Sequence, residues 1–147
     1  MRISTRGSYA LEAVMAIALY PAEQTISIRE ISQRTQISDN YLEQIFSLLR
    51  KNNIITSSRG AYGGYQLARP AGQILVGDVL RATEKSISPV MCVEEDNTCS
   101  KSTHCVTRNA WKKLFGAISE TVDVITIADL MKDFVQKTSR EGIDYSI

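Results

Sequence analysis

The fold is decided by SIREISQRTQISDNYLEQIFSLLRKNNIITSSRGAYGGYQL, residues 27–67. Ser27 and Glu30 form an S-x-x-E pattern. A cap hydroxyl and a carboxylate three residues later can satisfy two backbone amides that a helix start leaves orphaned. This predicts a short helix to about Arg34, with the turn at Gln36-Ile37. Ser38 is a second N-cap. Beyond it Leu42, Ile45, Phe46 and Leu49 recur at i, i+3, i+4 and i+7, the stripe of a helix that faces a core. Asn40, Glu43, Gln44, Ser47, Arg50 and Lys51 are left facing solvent. Asn52-Asn53 reads as the stop. Two short strands follow, one beginning at Ile54-Ile55 and one carrying Tyr65 and Leu67. Gly60, Gly63 and Gly64 give the turn between them its backbone freedom.

Two helices joined by a tight turn, then a basic glycine-bearing hairpin, make a winged helix-turn-helix. A helix of that width fits a DNA major groove, where base edges are distinguishable. Asn40, Tyr41, Glu43 and Gln44 lie near the start of the second helix, where base edges are read. Glu43 suits a discriminating role, because a carboxylate accepts from a cytosine amino group and repels phosphate. Arg50, Lys51 and Arg59 can neutralise phosphates. Arg59 sits at the hairpin tip with Gly60 and Tyr62, placed to enter a minor groove. A helical domain with a hairpin that binds only proteins is the competing reading.

Working outward, a first helix is expected from about Ser8 to Leu19, ending before Pro21, with Leu11, Val14, Met15, Ala18 and Leu19 as its apolar face. Another is expected from Val76 to Glu84. Trp111, Leu114, Phe115, Ile118, Val122 and Ile125 recur every three or four residues, a long helix with a strong apolar stripe. Thr126 and Asp129 form a second capping box, for a helix to about Thr138. The fold class is therefore mainly α with a small β-hairpin wing. The parts are a winged helix-turn-helix over 1–85, a cysteine-bearing loop over 86–106, and a dimerisation helix with a C-terminal helix over 107–147.

The chain has 147 residues, 44% of them hydrophobic, and a net charge of +1. That supports one compact domain and argues against disorder. Residues 1–85 carry ten Lys/Arg against seven Asp/Glu, and residues 86–147 seven against nine. The basic excess thus lies with the proposed DNA contacts. The start MRISTRGSYALEAVMAIAL pairs basic residues with an apolar run, but Glu12 interrupts it and the spacing is helical, so a secretion signal is not expected. No run reaches the length of a membrane span. A reducing cytoplasm is the expected location. No Walker-type phosphate loop, no paired catalytic carboxylates and a single histidine argue against an enzyme.

All three cysteines fall in MCVEEDNTCSKSTHCVTRNAW, residues 91–111, together with the one histidine, His104. The pattern C-x6-C-x5-C is too wide for a zinc knuckle. Three thiolates suit an iron–sulfur cluster that takes its remaining ligand elsewhere. Zinc bound with His104, a thiol–disulfide switch and three unconnected thiols remain alternatives on the residues alone.

The chain resembles the bacterial IscR, NsrR and CymR group of winged-helix regulators. The resemblance rests on MRISTRGSYAL, YLEQIFSLLRKNNII, RGAYGGYQL, GDVLRATEKSISPV and the final DYSI, and it covers essentially the whole chain. It implies a homodimer in which the helix after the cysteines crosses its partner, bound to a double-stranded DNA operator. It also implies a cluster on Cys92, Cys99 and Cys105, with 2Fe-2S favoured over 4Fe-4S. The expected function is a repressor that senses iron–sulfur, redox or nitric-oxide status and controls iron–sulfur assembly or cysteine-supply genes. Two departures stand out. The first cysteine gap has one extra residue, and the position of a histidine ligand is held by Arg108, which stays protonated and cannot ligate iron. A carboxylate position near the N-terminus in NsrR-type members is Ser8 here. The fourth ligand is open, with Glu12 and His104 as first candidates, then Glu94, Glu95, Asp96 or an exogenous ligand. The wing and tail look like those of CymR-type members, which lack the cysteines. The alternative is thus a cluster-free repressor of cysteine metabolism controlled by a regulatory protein partner or a thiol switch.

Overall fold

A computed structural model describes residues 2–95 and 99–142. The DYSI tail and Asp96 lie outside the described residues. The elements are α1 (Thr5–Ala18), α2 (Ile28–Thr35), α3 (Asp39–Lys51), β1 (Ile55–Ser58), β2 (Gly64–Leu67), α4 (Val76–Thr83), α5 (Arg108–Val122) and α6 (Ile127–Glu141). None of these helices is long and apolar enough to cross a membrane.

The local signals at 27–67 hold, with one change. Ser27 caps α2 by accepting from the Glu30 amide at 3.2 Å. The Glu30 carboxylate does not complete the box. It pairs instead with Arg34 one turn on, at 2.8 Å. Arg34 also lies over the Tyr20 ring, 5.3 Å from its centroid. Ser38 caps α3 by accepting from the Tyr41 amide. Between the helices Gln36 takes a left-handed conformation, φ 59°. Leu42, Ile45, Phe46 and Leu49 are all buried, as their spacing requires.

The wing is attached more firmly than a hairpin on a loop. β1 and β2 pair antiparallel with Ile55 opposite Leu67 and Ser58 opposite Gly64. Ile26, just before α2, then bridges to Tyr65 through two backbone hydrogen bonds of 2.8 and 2.9 Å. Gly64 permits that approach, since a Cβ there would lie 2.5 Å from the Ile26 carbonyl oxygen. The Phe46 and Tyr65 rings meet at 4.4 Å. Gly60 at the tip has φ 104°, where a side chain is strained.

The first helix starts earlier than expected. Ser4 is its N-cap, accepting from the Gly7 amide. The helix after the cysteines ends earlier, at Val122, and Ile125 lies in the connection. There Arg81 of α4 donates to both carboxylate oxygens of Asp123, at 2.6 and 2.9 Å. Leu75 bridges to Thr126, so the start of α4 and the start of α6 are knitted together by backbone bonds. The main core joins α1–α3 and the wing root to Val79 of α4 and Ile127 of α6. A second cluster of Val76, Leu80 and Ile87 carries Phe115, Ile118 and Val122 of α5 on its edge. No residue of α5 is fully buried, and Trp111 and Leu114 are exposed.

The Thr126–Asp129 box is complete: the carboxylate accepts from the Thr126 amide and hydroxyl, and Asp129 N–H donates to Thr126 Oγ1. The Thr126 amide, then its hydroxyl, hold the Asp129 carboxyl below its ordinary range. A depressed folded-state pKa means the stabilisation is present above the unfolded value of about 3.9 and fades as pH falls through the folded one. In acid unfolding followed by circular dichroism, Asp129→Asn is expected to narrow its stability deficit against wild type as pH drops below about 4.

Candidate functional site

The reading surface is assembled by α3 and the wing. The stripe that buries Leu42, Ile45, Phe46 and Leu49 turns the opposite face outward, so Asn40, Glu43, Gln44, Arg50 and Lys51 are all exposed. Arg59 and Gly60 are exposed at the wing tip, where Tyr62 is 96% exposed. Such exposure of an aromatic ring on a turn held in place by glycines leaves it available to an incoming surface. The wing tip is not free of the body. Thr25 Oγ1 donates to the Tyr62 carbonyl at 2.8 Å, which fixes the tip relative to the entry of α2. Tyr41 stands apart from the other α3 candidates. It is half-buried, and its ring meets Tyr9 of α1 edge-on at 5.8 Å. It supports the reading helix from behind as well as bordering its face.

One contact behind this surface was not legible in the sequence. Arg69 donates to the carbonyls of Asn53 and Gln73 and pairs with Asp78 at 2.9 Å. It ties the wing's exit to the start of α4. Its signal in the sequence, one arginine before Pro70, is too common to single out.

The cysteine segment is not a plain loop. Residues Met91–Val93 form a turn of 3-10 helix, and turns follow from Ser100 to His104. Cys92, Cys99 and Cys105 are free and half-buried. Among the described residues no group of three His, Cys, Asp or Glu side chains converges as a metal site. The structure therefore does not bring the three thiols together with each other, with His104 or with Glu12. His104 is exposed, while Glu12 is half-buried on α1. The spacing that suggested a shared ion fixes only the chain length between thiols, and it does not by itself bring three ligands to one point.

Arg108 takes a different part from a ligand. It opens α5, and its Nε and Nη2 donate to the Cys92 carbonyl at 3.4 and 3.2 Å. Its amide donates to the Cys105 carbonyl. One residue thus touches the first and third cysteines through their backbone. Cys105 Sγ lies 3.3 Å from Thr107 Oγ1. That hydroxyl, with the Arg108 amide, lowers the thiol's pKa from its ordinary value. A thiolate is the form that binds metal or attacks an electrophile.

Comparison with known proteins gives a consistent answer. Residues 3–133 match the family model Rrf2, described as an iron-dependent transcriptional regulator. The chain is 43% identical over 133 residues to protein rrf2 of Nitratidesulfovibrio vulgaris, covering 90% of this chain and 89% of that one. It is 35% identical over 149 residues to the HTH-type transcriptional regulator IscR of Vibrio campbellii, covering 100% and 88%. Among solved structures, CymR, the global cysteine regulator of B. subtilis, aligns with a TM-score of 0.74 at 35% identity, covering 90% and 97%. The IscR of T. potens aligns equally well, with a TM-score of 0.74 at 35% identity, covering 90% and 88%.

In reduced, metal-free protein, Thr107→Val is expected to slow alkylation of Cys105 by iodoacetamide at neutral pH, because the thiolate loses its hydroxyl donor. Peptide mass spectrometry of timed reactions reads the rate at each cysteine, and an unchanged Cys105 rate would contradict the assignment.

Proposed function

The chain belongs to the Rrf2 family of transcriptional regulators, and from that premise we propose that it is a homodimeric, cytoplasmic repressor whose DNA affinity is set by an iron–sulfur cluster on its cysteine loop. The observation that carries the reading is the placement of three half-buried free thiols on one loop that Arg108 fastens to the start of α5. The family model's description as iron-dependent supports iron as the metal.

Double-stranded DNA would be read by Asn40, Glu43 and Gln44 on α3. Tyr41 borders that surface. Arg50, Lys51 and Arg59 would neutralise phosphates, and Gly60 and Tyr62 would let the wing approach closely. The apolar stripe of α5, from Trp111 through Leu114 and Phe115 to Ile118, has no full cover in one chain and would close against the same helix of a second copy. In this division residues 1–85 read DNA, 86–106 sense, and 107–147 dimerise.

Soft thiolate donors suit an iron–sulfur cluster, with 2Fe-2S favoured. Because the thiols do not converge among the described residues, Cys92, Cys99 and Cys105 must be drawn together as the cluster is bound. That movement would reach α5 through Arg108 and so reset the tilt of the two reading helices. Sensitivity to oxidants or nitric oxide would come from the bound group. The fourth ligand is then Glu12, His104 or an exogenous small ligand. Control of iron–sulfur assembly or cysteine-supply genes fits both kinds of relative.

A second reading is favoured by the lack of a three-ligand group among the described residues. A cluster-free repressor, controlled by a thiol switch or a regulatory protein partner, needs no common centre.

One measurement decides between them, and a second tests the DNA role they share. Protein purified without oxygen, assayed for iron and acid-labile sulfide, should show thiolate-to-iron absorption that is lost in Cys92→Ala/Cys99→Ala/Cys105→Ala. A colourless protein without sulfide after reconstitution would leave the second reading. In DNA titrations over a range of salt, Arg59→Ala should weaken binding and reduce the salt slope by about 1, whereas Gln44→Ala should change sequence preference. Equal, salt-independent binding by all three proteins would remove the DNA role.

A further inference from the structure

Glu84 ends α4 and stands at the root of the cysteine loop. Its carboxylate reaches back to the opposite end of the sequence, where Oε1 accepts from the Ser4 amide at 3.2 Å and the Ser4 hydroxyl at 2.5 Å. The same Ser4 hydroxyl accepts from the Gly7 amide at 3.2 Å. The three groups form a chain in which each bond polarises the next. A negative charge here also faces the positive end of the α1 dipole. Space is reserved for it, because a Cβ on Gly7 would run into Glu84 Oε1. The carboxylate therefore has its partners at Ser4 and room beside residue 7.

A second contact lies along the same helix. Tyr9, little more than half a turn beyond Gly7, meets Tyr41 edge-on at 87° between the ring planes. Tyr41 is in the first turn of α3, between Asn40 and Glu43. Its amide is the one that the Ser38 cap accepts from. Glu84 and Tyr41 thus meet opposite sides of the first turns of α1, so a link between them runs through the body of the helix.

We propose that Glu84 is a positioning residue that couples the cysteine loop to DNA reading within one chain, by latching the root of the loop to the N-terminus of α1, whose Tyr9 then sets Tyr41 and the first turn of α3. This rests on the proposed function only for the claim that the loop's state controls DNA affinity. The mechanical link stands separately. When the loop is remodelled, Glu84 at the C-cap of α4 moves, the cap on α1 loosens or tightens, and Tyr9 shifts against Tyr41. The path lies inside one subunit, so it acts alongside any change in how two copies are spaced.

The first test needs neither cluster nor DNA. Hydrogen exchange of the full chain is read by mass spectrometry in peptides covering residues 5–9 and 38–44, for wild type, Glu84→Gln, Glu84→Ala, Tyr9→Leu and Glu84→Ala/Tyr9→Leu. Glu84→Ala is expected to speed exchange in both segments by about 2- to 30-fold, the span that loss of one helix cap supports. Glu84→Gln keeps the shape and one acceptor, and falls between it and wild type. Against Tyr9→Leu alone, the double variant should exchange no faster at residues 38–44 while residues 5–9 become fast, because the link is already broken. Faster exchange at 5–9 with none at 38–44 overturns the link and leaves Glu84 a local cap. Should Glu84→Ala loosen the whole core, Glu84→Gln carries the same comparison.

The second test compares affinity for a duplex selected by the protein from a random pool. Protein reconstituted anaerobically with iron and sulfide is set against Cys92→Ser/Cys99→Ser/Cys105→Ser, each with Glu84 intact and with Glu84→Gln. Coupled sites typically differ about 5- to 150-fold in affinity between states. With Glu84→Gln that ratio should fall toward one. A ratio that Glu84→Gln leaves unchanged overturns the latch and keeps loop control. A ratio of one with Glu84 intact removes loop control, and with it the regulatory role of Glu84.

Discussion

The two backbone hydrogen bonds between Ile26 and Tyr65 hold together what would otherwise be separate pieces. They pair the residue before α2 with the second strand of the wing, so helix pair and hairpin share one frame. An isolated two-stranded hairpin is marginal in water. Here it gains a third pairing partner, a ring contact from Phe46 and a glycine that admits the close approach. Without that pairing, the outward face of α3 and the tip at Arg59 and Tyr62 would have no fixed separation. A surface that reads a groove with one element and a backbone with another depends on that separation.

The rest of the molecule divides into a finished half and an unfinished one. Around α1–α3 a large apolar core is fully buried, and each helix opens on a serine cap. Along α5 they are not: Trp111 and Leu114 stand open beside a small cluster that covers only the edge of the stripe. Among the described residues the loop that precedes α5 forms no three-ligand metal site, yet Arg108 already ties the Cys92 carbonyl to the helix. Both the uncovered stripe and the unconverged thiols sit in the part of the chain that a second copy or a bound group would complete.

What could be seen in the sequence follows from how local each signal is. The Ser38 cap and the stripe Leu42–Leu49 concern neighbours within two turns, and they fix α3 and its outward face. The box at Thr126 and Asp129 is equally local and forms in full. The box at Ser27 forms by half, because Arg34 competes for Glu30 at the favoured i+4 spacing. The cap of α1 at Ser4 is local, but the carboxylate that supports it is 80 residues away and escapes a local reading. So does the end of α5, where Asp123 is drawn to Arg81 of α4. For the candidate site, residue types and spacing pointed to thiolate chemistry, and exposure of the reading face followed from periodicity. Convergence of side chains across a loop follows from turns and tertiary contacts, which spacing does not encode. The role of Arg108 as a backbone fastener was hidden for the same reason.

The bridge between Leu75 and Thr126, with the Arg81–Asp123 pair beside it, has a mechanical meaning. It clasps α4 and α5 at one end, and the cysteine loop joins them at the other. Such a pair behaves like tweezers with a fixed pivot. Were the loop to contract, as the proposed function requires, the pinned far end would make α5 swing rather than slide along its axis. For a helix about 22 Å long, a shift of roughly 3 Å at the free end is a rotation of about 8°. A twofold partner doubles the angle between the two helices. Under the proposed function the clasp would convert a small change in the volume enclosed by the loop into an angular signal, the kind of output that a protein gripping a rigid, helical polymer at two places can use.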